Sequence, residues 1–154
     1  MRRRRELRGL TRLVHTEIVH NHMTLETFYS QPKRVVTRTL SAVRTETWES
    51  VRVQLAEMMP ADDFGALAYY YLFLQELQHI LLIAEGRTVS DTVGLTKNLL
   101  EALAEQEPDA REVSLAYANL GGLLGWRRMR RRISEHRRHI SEAKASDEPS
   151  SRPA

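Results

Sequence analysis

The fold is decided by one stretch, residues 64–84, which reads FGALAYYYLFLQELQHILLIA. It is apolar nearly all round; its only formal charge is Glu76, and Gln75, Gln78 and His79 lie beside it. A membrane span needs ~20 residues with few polar groups, and a carboxylate at its centre costs ~2.5–3.5 kcal/mol. We therefore predict a helix at the centre of a soluble bundle.

Four further segments around this stretch have apolar residues at helical spacing. In the first of them, Leu7, Val14 and Ile18 recur seven and four residues apart, which places them on one face of a helix. No second strand is available to pair with the β-favouring residues 33–44, which we expect to form a loop or a short helical turn. The class is therefore all-α, a bundle of about five helices. They span about residues 3–29, 46–59, 62–85, 91–105 and 109–140, with a break at Pro108.

The last predicted helix changes its apolar face partway along. Val113 and Tyr117 lie on one face, whereas Met129 and Ile133 lie on another. The glycines of the segment Gly121–Gly125 stand at the change, and each lowers helix propensity by about 1 kcal/mol. We therefore predict a long C-terminal helix with a kink at these glycines.

The length of 154 residues suits one domain, which we place at residues 1–140. Residues 141–154 are rich in Ser, Pro and charge and are expected to form a disordered tail. The chain has no Cys, which excludes disulfides, thiolate catalysis and cysteine-ligated zinc. No apolar run follows the basic N-terminus as a signal peptide requires. We expect a cytoplasmic location or the cytoplasmic face of a membrane.

Charge is distributed unevenly along the chain. The net charge is only +3, but residues 1–12 carry +5 and residues 127–138 carry +6, so the remainder carries −8. If the first and last helices pack antiparallel, with apolar residues facing Trp126, Met129 and Ile133, the two basic segments meet at one end of the bundle. Such a cluster is costly unless a polyanion neutralises it. The candidate anion-binding residues are Arg2, Arg3, Arg4, Arg5, Arg127, Arg128, Arg130, Arg131 and Arg132.

Three interpretations of these arginines stay open. The first is a solvated face whose aliphatic stems cover apolar surface. The second is an anionic membrane surface, because Trp126 and Ile133 on an arginine-rich helix form a basic amphipathic segment. In a variant of it, Arg2–Arg5 are the cytoplasmic flank of a membrane helix that has been removed. The third is nucleic acid, which arginine also suits but for which no reading motif is recognisable.

No catalytic motif is recognisable in the sequence. The segment Gly121–Gly125 neither follows a strand nor precedes Lys-Ser/Thr, so it is not a phosphate-binding loop, and no Gly-x-Ser-x-Gly occurs. We expect a non-enzymatic binding or scaffolding domain without a cofactor, which presents its arginine-rich end to an anionic surface, that of a membrane first. Apolar positions in the segment Trp126–Ile140 also permit a homodimer through a short coiled-coil seam.

A rival interpretation from another class is a ferritin-like di-metal protein. Glu17 and His20, and likewise Glu76 and His79, have the Glu-x-x-His spacing that brings a carboxylate and an imidazole to one ion. On a helical wheel Glu17 lies at the edge of the apolar face and His20 well outside it, so the first pair is poorly placed. The alternative is a surface histidine and a hydrogen-bonded pair in the core.

Polar residues also interrupt the apolar faces. Asn21 lies near the centre of the apolar face of the first helix, one turn after Glu17, and Gln75 and His79 interrupt the central helix. Because buried polar groups must be paired, we predict that these four residues form one hydrogen-bonded network that fixes helix register. The functional alternative is a small polar pocket. Further partners nearby are Arg38 and Arg44.

Overall fold

The computed structural model describes residues 2–30, 42–84, 89–119 and 122–147, and this part of the chain holds five helices and no strand. The predicted all-α bundle is thereby confirmed. Of the segment expected to be a loop or helical turn, residues 33–41 lie outside the described residues. The helices are α1 Arg2–Ser30, α2 Glu46–Met58, α3 Ala61–Ala84, α4 Val89–Ala118 and α5 Gly122–Asp147.

The helix formed by the long apolar stretch, α3, packs against α2 and α4. Leu67, Tyr70 and Leu74 on its inner face are fully buried. Its outer face is open, because Tyr69 is 61% and Leu72 48% exposed. The expectation that this helix lies at the centre of the bundle is therefore wrong. No helix in the described part of the chain is long and apolar enough to cross a membrane.

The helix α4 continues through Pro108, where the sequence predicts a break. Proline lacks the N–H that would donate to the carbonyl four residues earlier, and its ring crowds that carbonyl. Pro108 is exposed, whereas Leu103, Ala110 and Val113 on either side of it are fully buried. Packing of this inner face against α1 and α3 overrides the local preference, so the predicted boundary at Pro108 is wrong.

The predicted kink coincides with a boundary between two helices. Since α4 ends at Ala118 and α5 begins at Gly122, the change of apolar face separates two helices instead of bending one. The new helix packs along α4, and its Met129 and Ile133 are buried in the core. It continues to Asp147, past the start expected for the tail at residue 141; residues 148–154 lie outside the described part.

The partner of α1 is α4, which runs antiparallel to it. Arg12 Nε donates to the carbonyl of Ala118 over 3.0 Å, and His22 pairs with Glu107, so residue numbers rise on α1 as they fall on α4. The sequence suggests this antiparallel arrangement for the first helix and the predicted last helix, residues 109–140. The part of that segment up to Ala118 belongs to α4 and does pack antiparallel on α1. Its later part, with Met129 and Ile133, lies in α5, which packs on α4.

The start of α2 is capped by a buried carboxylate from another helix. Glu17 of α1 is only 5% exposed, and its two oxygens accept the backbone N–H groups of Thr47 (2.9 Å) and Trp48 (3.1 Å). Tyr71 Oη donates to the same side chain over 2.9 Å. The first turn of a helix leaves its N–H groups without partners and favours a negative charge. Thr45, at the N-cap, makes no capping bond with its own side chain.

Replacement of this carboxylate tests its role in holding α1, α2 and α3 together. Glu17→Gln removes the charge and sets an amide NH₂ against backbone donors, so we expect the free energy of unfolding to fall by about 2 kcal/mol. Urea unfolding followed by circular dichroism measures it. Glu26→Gln, on the exposed side of the same helix, is the matched control. Equal effects of the two substitutions would contradict a capping role.

Candidate anionic-surface interface

The arginines of α5 differ in the groups that they contact. Two of them contact a buried aspartate. Asp63, in the first turn of α3, is fully buried. Its Oδ2 accepts hydrogen bonds from Arg130 Nη1 and from Tyr117 Oη, both over 2.6 Å. Arg137 Nη1 lies 3.1 Å from its Oδ1. Because a buried carboxylate requires such pairing, these contacts fix α5 against the start of α3.

Further acidic residues of the helical body neutralise the same face of α5. Arg132 pairs with Glu112 of α4. Arg137 Nε and His136 Nε2 lie 3.8 Å and 3.6 Å from the carboxylate of Asp109. The negative charge of the body and the positive charge of α5 therefore neutralise each other in part within the chain, which accounts for much of the asymmetry seen in the sequence.

Two other arginines of α5 face solvent. Arg131 is 82% exposed and pairs with Glu135, and Arg138 is 65% exposed and pairs with Glu142, each four residues further along the helix. The hydrogen bond from Arg131 lowers the pKa of Glu135. Exposed pairs of this kind contribute little to stability, so these two arginines fit the interpretation as a solvated face.

In the N-terminal cluster, two arginines cap the ends of neighbouring helices. Arg3 Nη2 donates to the carbonyl of Glu57 in the last turn of α2 over 2.6 Å. Arg12 does the same for Ala118 at the end of α4. The last carbonyls of a helix lack partners, and a cation is favoured beside them. These two arginines therefore stabilise the bundle itself.

The remaining arginines of both clusters meet at one end of the bundle. The guanidinium carbon of Arg4 lies 6.0 Å from the ring centroid of Trp126, which brings the starts of α1 and α5 together. The two clusters therefore meet through Trp126, although α5 itself does not pack along α1. Exposed arginines that form no ion pair with any described residue lie within two residues of Arg4 or Trp126 along the chain. Together with Arg4 they are named here the basic end: Arg2, Arg4, Arg5, Arg127 and Arg128.

The predicted polar network is divided into separate contacts. Asn21 is fully buried, and its side chain donates to the carbonyl of Arg44 (2.7 Å) and accepts from the N–H of the same residue (2.8 Å). Gln75 donates instead to Glu49 at the surface. Arg38 lies outside the described residues. The network thus ties α1 to the backbone before α2 and does not extend to α3 through Gln75.

The residues proposed for a di-metal site make other contacts or face solvent. Both oxygens of Glu17 accept protein hydrogen bonds, as described above, and His20 Nε2 lies 3.1 Å from the carbonyl of Ala42. Glu76 and His79 are exposed on the outer face of α3, so His79 takes no part in the buried network either. Within the described ranges, no group of three or more His, Asp or Glu residues is placed to hold a metal ion.

Two of the apolar positions expected to form a dimer seam are buried within the chain's own bundle. Met129 is 5% and Ile133 2% exposed, and Trp126 and Ile140 are half-buried. A coiled-coil seam needs such residues to face a partner helix. In the segment Trp126–Ile140, Met129 and Ile133 face the chain's own bundle, whereas Trp126 and Ile140 are partly exposed, and the homodimer stays a prediction.

A contact that sequence reasoning missed joins His15 of α1 to Ser114 of α4 over 2.8 Å. The Ser114 hydroxyl donates to the carbonyl of Arg111, so His15 Nδ1 is the donor of the pair. Burial, and secondly the charge of Arg111, lower the pKa of His15. Ser114 is fully buried with its proton engaged, which suits a contact that fixes helix register better than a nucleophile. The two residues are 99 apart in the chain, so no local spacing indicates the pairing.

Comparison of the chain with protein-family models, with curated proteins and with solved structures finds no match in any of the three. The assignment of a function therefore depends on the residues of this chain alone. Their arrangement separates arginines that hold the bundle together from arginines of the basic end, which are available to a partner.

The buried aspartate tests whether ion pairing holds α5 in place. In Asp63→Asn the carboxylate that binds two arginines and a tyrosine is lost, and we expect the free energy of unfolding to fall by about 2 kcal/mol. Hydrogen exchange of the α5 amides should accelerate with it. Asp62→Asn is the matched control, because this exposed neighbour offers α5 its backbone carbonyl only. If both variants leave the exchange of α5 unchanged, these ion pairs do not hold the helix.

The histidine at the α1–α4 interface predicts a dependence of stability on pH. Because the folded pKa of His15 lies below its ordinary value of 6.5, the unfolded chain binds more protons around and below that pH. Stability should therefore fall as the pH drops from about 7.5 to about 5.5, and less steeply in His15→Gln. The control is His139→Gln, at a side chain that is 72% exposed. An unchanged slope in His15→Gln would contradict this assignment.

Proposed function

We propose that this chain is a non-enzymatic binding domain whose basic end docks onto the anionic cytoplasmic surface of a membrane. One observation carries the proposal: Arg2, Arg5, Arg127 and Arg128 are exposed at one end of the bundle and form no ion pair with any described residue. Arginines further along α5 have acidic partners. Like charges held together repel one another, and an anionic surface relieves that repulsion.

The attraction expected from these arginines is sufficient for reversible docking. Anionic lipid contributes ~1 kcal/mol per nearby basic residue, so four arginines contribute roughly 4 kcal/mol, or about a thousandfold in the binding constant. The contribution falls off within a Debye length of ~8 Å at physiological ionic strength. Binding through the basic end should therefore be reversible and sensitive to salt.

Trp126 favours a membrane over a nucleic acid as the surface that is bound. The ring is half-buried between Tyr117 (6.1 Å between centroids) and Arg4, at the edge of the basic end. Tryptophan is enriched where proteins meet the membrane–water interface, because its ring is apolar and its N–H is polar. Binders of single-stranded nucleic acid rely on rows of aromatic side chains, which Trp126 by itself does not supply.

The test is sedimentation with vesicles of phosphatidylglycerol and phosphatidylcholine, compared with vesicles of phosphatidylcholine alone, at low and high salt. The test variant carries four Arg→Gln substitutions at residues 2, 5, 127 and 128. A control variant has the same change of charge at exposed arginines away from the basic end: Arg44, Arg52, Arg111 and Arg138. We expect the binding constant for anionic vesicles to fall at least tenfold in the test variant and less than threefold in the control.

Equal losses in the two variants would mean that net charge, and not the basic end, determines binding. Equal binding of the unaltered protein to neutral and anionic vesicles would contradict the electrostatic basis of the proposal. A parallel titration with duplex and single-stranded DNA covers the remaining alternative. If DNA is bound through the same arginines and vesicles are not, the partner is a nucleic acid and the membrane proposal fails.

A further inference from the structure

We infer that the groove beside the basic end is a binding site for a single anionic phospholipid, with the phosphate at the arginines and the upper acyl chain on the apolar floor. The inference rests on the proposed function and gives it a defined ligand site. Arg3, Arg4, Leu7, Met58 and Trp126 line the groove, whose volume is about 270 Å³. It lies where the start of α1, the end of α2 and the start of α5 meet.

The floor of this groove is apolar without being fully covered. Leu7 is 4% exposed and belongs to the core, whereas Met58 and Trp126 are half-buried and pack against that core from the side of the groove. Methionine is flexible and fits irregular apolar ligands. The aromatic ring of Trp126 adds a broad apolar wall. These three side chains present a surface on which a short length of acyl chain can lose its contact with water.

The rim of the groove is cationic, and its donors are only partly engaged. One nitrogen of Arg3 donates to the carbonyl of Glu57, but a guanidinium has five N–H donors. Arg4 lies over the Trp126 ring, which orients its charge without a carboxylate partner among the described residues. Arginine binds phosphate oxygens in a planar, two-pronged geometry. A phosphate at this rim is therefore within reach of both Arg3 and Arg4, directly above the apolar floor.

A second, more polar groove adjoins the first and shares Arg3 and Met58 with it. Its other lining residues are Arg2, Glu6, Gln54 and Glu57. The two carboxylates disfavour a second anion in this groove, but together with Gln54 they can accept hydrogen bonds. The pair of grooves thus matches an amphiphile in three parts: an acyl chain, a phosphate and a head group that carries hydroxyl or ammonium donors. Phosphatidylglycerol has these parts, whereas a free phosphate has only one of them.

The fluorescence of Trp126 reports directly whether a lipid occupies the groove. The chain has two tryptophans, and the other, Trp48, is 3% exposed and stacked on Tyr71 in the core, with 4.7 Å between ring centroids. Dihexanoyl phosphatidylglycerol, added below its micelle concentration, should change the emission of the unaltered protein saturably and leave that of Trp126→Phe unchanged. Dihexanoyl phosphatidylcholine, which has no net charge, should bind at least fivefold more weakly. Glycerol phosphate, which has no acyl chain, should leave the emission unchanged.

A matched pair of methionine variants locates the site. Met58→Glu places a carboxylate on the floor of the groove and should weaken binding of the short-chain phosphatidylglycerol at least tenfold. Met23→Glu makes the same change on α1 at a side chain that is 70% exposed, and it should leave that binding unchanged. Hydrogen exchange of both variants verifies that the bundle is intact.

The outcomes distinguish lipid binding in the groove from docking of the basic end on a membrane surface. Saturable binding that requires the acyl chain, the anionic head group and an unaltered Met58 supports the site. Absence of a saturable change with the short-chain lipid, or equal binding in Met58→Glu and Met23→Glu, overturns it. Sedimentation with vesicles is measured separately. Vesicle binding without binding of the short-chain lipid would support docking through the basic end and overturn the groove site, and the opposite pair of results would do the reverse.

Discussion

The ion pairs between buried Asp63 and two arginines of α5 are the constraint on which the arrangement of the basic end depends. A carboxylate with no access to water must be paired, and Arg130 and Arg137 approach it from successive parts of α5 while Tyr117 donates from α4. The helix is thereby held along α4 in one orientation. As a consequence its first turns reach the start of α1, where Trp126 meets Arg4.

As a result of these contacts, arginines that are alike in sequence have different roles in the structure. The arginines that face the body neutralise its acidic residues, and two arginines of α1 cap the carbonyl ends of α2 and α4. Apart from Arg4, which lies over Trp126, those of the basic end are exposed and form no ion pair with any described residue. Net charge alone does not reveal this division, because all these residues have the same chemistry. What distinguishes them is the carboxylate or carbonyl group that the fold places beside some of them. The proposed docking surface consists of arginines near the Arg4–Trp126 contact that have no such partner among the described residues.

Most of the fold follows from periodicity in the sequence, whereas the partners of the site residues do not. The apolar stretch of α3 and the spacing of apolar residues in α1 predict an all-α bundle, since burial of one face is what makes a short helix stable. The continuation of α4 through Pro108 and the exposure of one face of α3 depend on which helices pack against each face. No local sequence pattern predicts that packing. The burial of Glu17 and Asn21 is indicated by their place on the helical wheel. Apart from the hydroxyl of Tyr71, however, their partners are backbone groups of residues 44–48, which carry no signal in a pattern of side chains.

The proposed docking surface exists only if the starts of α1 and α5 lie together at one end of the bundle. The chain has no native Cys, so spin labels at introduced cysteines measure this directly: one pair joins Glu6→Cys to Arg128→Cys, and the other joins Glu26→Cys to the same position in α5. The two positions in α1 are roughly 30 Å apart along the helix axis at ~1.5 Å per residue. We expect a clearly shorter distance for the first pair, because residue 6 lies beside the Arg4–Trp126 contact. Equal distances, or a longer distance for the first pair, would contradict the account.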